Sequence, residues 1–178
     1  MRNLMFACLF LLCAALLCAA CDNPARIARR EVNRITRITE TTEIEVNRAA
    51  RTVLFDSAVS EGKRRGQELK AAGCGPACAT QPSTALIDPC KTVVAASVVR
   101  YEKRASEIQM AQKKVYAAID SVYATLRVVI DLLRTIDAGN KAQGWEAKLA
   151  AVVSGAITSY ADCKAAVAAF KTAIGGVK

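Results

Sequence analysis

Eight cysteines and no histidine define the chemistry open to this 178-residue chain. Thiols form disulfides, ligate soft metals, act as nucleophiles or carry acyl groups, and each use needs different neighbours. Cys8, Cys13, Cys18 and Cys21 crowd the start of the chain, while Cys74, Cys78, Cys90 and Cys163 are spread over the rest. The second set is even in number. In a chain that carries an export signal it predicts two disulfides, with three connectivities left open. Cys74-Gly-Pro-Ala-Cys78 lacks the spacing of a redox C-x-x-C, and no histidine is present to complete a mixed metal site. The missing imidazole also removes the commonest general base and the Ser-His-Asp triad. Gly62 and Gly66 are too sparse for a phosphate loop. Glu43 and Glu45 read as a solvated helix face. The inventory therefore predicts no catalytic residue, no metal and no cofactor.

The start of the chain explains the first cluster. Arg2 is the one charge in the first twenty residues, and an apolar run from Leu4 to Leu17 follows it. Small residues then precede Cys21. A basic start, an apolar core and small residues before a cut make a secretory signal. The stretch Leu17-Cys18-Ala19-Ala20-Cys21 resembles the lipobox of bacterial lipoproteins, with Cys18 where that class usually has leucine. The resemblance implies cleavage before Cys21, acylation of Cys21 by chains such as palmitate, and a periplasm- or exterior-facing protein held on the bilayer. It covers only about the first 22 residues and concerns processing. Asp22 resembles the signal for inner-membrane retention in enteric lipoproteins. Cys18-Ala19-Ala20 also fits ordinary signal-peptidase cleavage. A retained anchor is the third reading, although the run is short for the ~20 residues a span needs. Lipidation leaves an even number of thiols in the mature part and ordinary cleavage leaves an odd one.

The net charge is +9, from 25 basic and 16 acidic residues. The excess is spread along the chain rather than gathered beside aromatics, so nucleic acid is not an expected partner. Lys63-Arg64-Arg65 is the densest cluster. It reads as a solvated helix face or as a contact for an acidic partner or anionic lipid.

After the signal the pattern is helical almost throughout. Ala28, Val32, Ile35, Thr39, Thr42, Val46, Ala49 and Val53 recur at 4-3 spacing, the seam of a coiled coil. The tetrapeptide Glu-Val-Asn-Arg occurs at residues 31–34 and 45–48, two heptads apart. Residues 73–88 hold two prolines, two glycines and two cysteines, and read as a loop. Asp88-Pro89 then starts a helix. Its seam runs Val94, Val98, Tyr101, Ala105, Ile108, Gln112, Val115, Ile119, Val122, Leu126, Val129, Leu133 and Ile136, with Gln112 the one polar member. Gly139-Asn140 ends it. The third stripe is Trp145, Leu149, Val152, Ala156, Tyr160, Cys163, Val167, Phe170 and Ile174, with both aromatics expected in the core.

The expected organisation is a signal at 1–20, a lipidated tether at 21–24 and an all-α domain at 25–178. That domain is an elongated antiparallel bundle with helices at about 25–72, 89–138 and 141–174. Breaks near Gly62–Gly66 or Arg100–Arg104 would divide it into four or five helices. With the N-terminus tethered, the Cys-rich loop becomes the membrane-distal tip. Cys163 fits this scheme badly, because it falls far from Cys90 along an ideal bundle and a disulfide needs Cα atoms within about 7 Å. Either a long helix is broken and the bundle is shorter and thicker, or the tip loop folds down; otherwise Cys163 is buried and free, or pairs between chains.

These features predict a tethered, non-enzymatic interaction or structural module of the cell envelope. Its partners are the bilayer, through acylated Cys21, and another envelope or incoming protein, as for immunity and exclusion lipoproteins. An oligomer through the second helix's seam fits equally. A spanin-like lysis lipoprotein and a carrier of a small apolar ligand are the alternatives. A cavity near Trp145 and Tyr160 would favour the carrier, and an exposed apolar or charged patch at the tip would favour the binding module.

Overall fold

Amphipathic runs as long as these must bury their stripes against one another, and the computed structural model shows how. It describes residues 23–75 and 88–175. Cys21, Cys78 and the expected signal at 1–20 lie outside the described residues. Among the described residues there are three helices: α1, Pro24–Ala71; α2, Asp88–Asp137; and α3, Trp145–Gly175. The all-α bundle expected from the periodicity is the observed class, and no strand occurs among the described residues. No described helix is long and apolar enough to cross a membrane.

The division into four or five helices does not occur among the described residues. α1 runs unbroken through Gly62 and Gly66, each costing about 1 kcal/mol against alanine. One correction lies between α2 and α3. Gly139 and Gly144 both adopt positive φ, 82° and 77°, so α3 begins at Trp145 rather than 141. The Gly139 N–H donates to the Ile136 carbonyl and the Asn140 N–H to that of Thr135. These two bonds close α2 as a Schellman cap. Lys141 Nζ lies 5.6 Å from the centre of the Trp145 ring.

The chain divides into two units, and each helix contributes a segment to both. The first comprises Met1–Glu40 and Ile119–Asp162. Its core is the expected seams: Ala28, Val32 and Ile35 from α1, Ile119, Val122, Leu126, Val129, Leu133 and Ile136 from α2, and Leu149 and Ala156 from α3. Arg29 and Asp137 form an exposed ion pair between α1 and α2. Thr39 is buried in this core, and its hydroxyl has no hydrogen-bond partner among the described residues. Thr39→Val keeps the shape and removes the unpaired oxygen, so stability is expected to rise by about 1 kcal/mol in denaturant unfolding.

The second unit comprises Thr41–Ala118 and Cys163–Lys178. Val46 and Ala50 of α1, Ile108 and Val115 of α2, and Cys163 and Phe170 of α3 are its buried centre. Gln112 is half-buried, and its amide donates to the Tyr116 hydroxyl at 3.4 Å. One seam position departs from expectation. Val98 is 43% exposed, and Ser97 beside it is buried instead.

Candidate functional site

The exposure of Val98 follows from where α3 stops. Gly175 is the last residue of α3, and Arg104 of α2 donates from Nη2 to the Ala173 carbonyl at 3.0 Å. A cation on the last carbonyls satisfies both the orphan acceptors and the negative end of the helix dipole. The contact fixes the level of the α3 terminus beside residue 104. Among the described residues, the part of α2 before that level has only α1 as a neighbour in this unit. The result is a two-helix hairpin built from the end of α1 and the start of α2.

Two-helix layers cannot bury a core on both sides, and burial in the hairpin is sparse accordingly. From 61 to 68, no α1 side chain is fully buried. From 88 to 107, α2 buries only Cys90 and Ser97. Leu69, Cys74 and Cys90 form a small cluster, with Ala72, Val93 and Val94 packed against it. Polar and covalent links hold the rest. Cys74 and Cys90 are joined by a disulfide, with Cα atoms 6.2 Å apart. Gly73, at φ 74°, is the left-handed residue of a second Schellman cap. In that cap the Cys74 N–H donates to the Leu69 carbonyl at 2.9 Å, which turns the cysteine toward α2.

Arg100 is the electrostatic centre of the hairpin. Its Nε donates to Glu61 Oε1 at 2.9 Å, and its Nη2 reaches Glu61 Oε1 at 2.6 Å and Glu68 Oε2 at 2.8 Å. Arg64 Nε donates to Glu68 Oε1 at 2.9 Å. The Arg100 guanidinium holds both carboxyls below their usual value of 4.5, with Ser97 assisting at Glu61 and Arg64 at Glu68. Depressed folded values mean a stabilisation that is present above about pH 4.5 and lost as the pH falls through those lower values. Amide exchange in 59–71, corrected for intrinsic rates, is expected to lose protection on acidification below pH 4.5. Arg100→Gln should flatten that pH dependence.

A groove of about 300 Å³ runs between the arms, lined by Ala58, Glu61, Gly62, Arg65, Ser97, Val98, Tyr101 and Glu102. Beside it on α1, Phe55 is 69% exposed and Val59 41%. With Gly62 and Gly66 they repeat at 4-3-4 spacing, a stripe that faces solvent. Nothing lies within 4 Å of where a Cβ would stand on either glycine. Val99 on α2 is also exposed, at 63%.

Of the residues singled out from the sequence, Cys74 and Cys90 come together here. Cys163 does not join them. It is buried and free, and burial pushes its thiol above the ordinary value. The expectation of two disulfides is corrected to one among the described residues, because Cys163 sits on the seam of α3 inside the core. Lys63, Arg64 and Arg65 do not form one patch, since successive helical residues point about 100° apart. Arg64 is paired with Glu68, Arg65 lines the groove, and Lys63 is exposed. The Phe55–Gly66 stripe and the Arg100 network escaped the sequence reading. The heptad spacing of the stripe was a signal available for it, and the network depends on a contact across 39 residues.

An apolar groove of about 320 Å³ lies in the first unit between α1 and α3, lined by Ile27, Leu149, Val153 and Ile157 among others, but by neither Trp145 nor Tyr160. No cluster of three or more potential metal ligands occurs among the described residues. Fold and site together define a class, an all-α bundle with a disulfide-closed hairpin and exposed apolar residues on α1 and α2 among the described residues. No protein-family model matches the chain, and no curated protein or solved structure matches it either.

Proposed function

We propose that this protein is a lipid-tethered, non-catalytic interaction module of the cell envelope, acylated at Cys21 and docking a protein on its α1–α2 hairpin. The observation that carries the reading is the solvent exposure of Phe55 and Val59 on α1 and of Val98 on α2 beside the hairpin groove. Apolar residues grouped on a helical face and rimmed by charge are the usual mark of a helix-binding surface. The disulfide and the Arg100 network support it, because they keep that face presented without a core beneath it. The lipobox-like residues support the tether. A second reading, a carrier of a small apolar ligand, is favoured by the open groove beside Ile27 and Ile157, whose size is at the lower end for ligand sites.

Thiol accessibility tests the docking face. Val98→Cys on the hairpin and Val128→Cys elsewhere on α2 replace valines that are 43% and 54% exposed. In membranes of the producing cell, the thiol introduced at position 98 is expected to label several-fold more slowly than in the purified full chain. The thiol at position 128 should label alike in both. Equal labelling at position 98 in the two settings would contradict a docked face.

A further inference from the structure

We infer that the occupant of the bare hairpin face is a second copy of this chain, paired antiparallel through α1. The inference rests on the docking reading and names its partner. The argument starts from the order of the exposed stripe: large, large, none, none. Phe55 and Val59 are followed at heptad spacing by Gly62 and Gly66. Consider a second α1 laid antiparallel on the first, with the two-fold axis between residues 60 and 61. Phe55 of each copy then faces Gly66 of the other, and Val59 faces Gly62. Both bulky side chains meet a position that has no side chain and open space around it. A parallel pair lacks this match, because it sets Phe55 against Phe55 and leaves glycine against glycine.

Isologous packing requires such self-complementarity, and charge supplies it as well. Asp56 and Lys63 lie seven residues apart on one side of the stripe. In the antiparallel pair Asp56 of one copy comes beside Lys63 of the other, twice. Neither makes an ion pair within the chain among the described residues. An acidic partner would meet a mixed face, with Glu61 and Glu102 beside Arg65 and Arg100, and gain little from it. The groove beside Val98 runs along the same edge of α1, so the second copy also narrows the opening over Tyr101. The paired stretch is about 18 Å long. One helix face of that length covers less than the ~800 Å² per partner of a stable interface, so the dimer is weak and reversible. Tethering would raise its occupancy through effective concentration.

Disulfide trapping in the full chain tests this. Phe55→Cys and Gly66→Cys are made separately, mixed and oxidised. A covalent dimer is expected from the mixture and from neither variant alone. Like positions lie about 16 Å apart along the axis, beyond the ~7 Å a disulfide spans. The unsubstituted chain sets the background from native thiols. Adding Lys63→Glu to both variants should cut the trapped yield, and adding Asp56→Lys as well should restore it. A mixture that traps no dimer, while the thiol introduced at position 66 reacts freely with a small reagent, overturns the second copy. If position 98 is nevertheless protected in membranes, the face docks a different protein and the broader reading stands. If position 98 is unprotected too, both fall.

Discussion

Replacing Cys74 and Cys90 together by serine is expected to destabilise the hairpin by about 3 kcal/mol. The disulfide closes a loop with a sequence separation of 16, and most of its effect is to restrict the unfolded ensemble. The hairpin depends on it more than a core would, since its apolar cluster consists of Leu69, the two cysteines and three partly buried neighbours. Serine at position 90 also leaves a hydroxyl where the native side chain is fully buried. Amide exchange of 59–71 and 88–102 should accelerate strongly. Protection of 23–40 and 119–162, the other unit, should hold. Unchanged exchange in the hairpin would mean that the Arg100 network suffices to close it.

Phe170→Ala is expected to cost about 3–5 kcal/mol, the range for emptying an aromatic site in a packed core. Phe170 is 1% exposed and leads the fully buried side chains by volume. It sits near the end of α3, where few other buried groups hold the helix: Cys163 is the next one back along the chain. Its loss should free the last turns of α3 and release the Ala173 carbonyl from Arg104. With a total stability of about 5–15 kcal/mol for a typical domain, the variant approaches unfolding. Chemical denaturation with helicity as the signal checks the magnitude. Phe170→Leu should recover most of the loss.

The seams were legible because they were long. From Ile108 to Ile136 the α2 stripe keeps 4-3 spacing, and every member but Gln112 is buried. In α3 the predicted stripe is the observed one, since all nine positions are buried or half-buried. Periodicity reports which face a helix turns inward, but not how far its neighbour extends. Val98 shows the limit. Its place on the seam is correct, yet α3 ends too early to cover it, and that end is fixed partly by Arg104, 69 residues from its acceptor. Gly62 and Gly66 show another. Propensity marks them as weak points, whereas the helix tolerates both and presents them to solvent. Cys163 could be placed at a distance from Cys90 by helix length alone, and its burial follows from its place on the α3 stripe.

Tethering through Cys21 is the claim on which the functional account stands, and intact mass tests it most directly. Protein would be taken from membranes and from the soluble extract and weighed with and without reduction. The account predicts a membrane-bound species that begins at Cys21 and carries acyl chains, gaining the two hydrogens of the Cys74–Cys90 disulfide on reduction. A soluble, unacylated species would contradict the tether and leave the hairpin face as the property of a free protein.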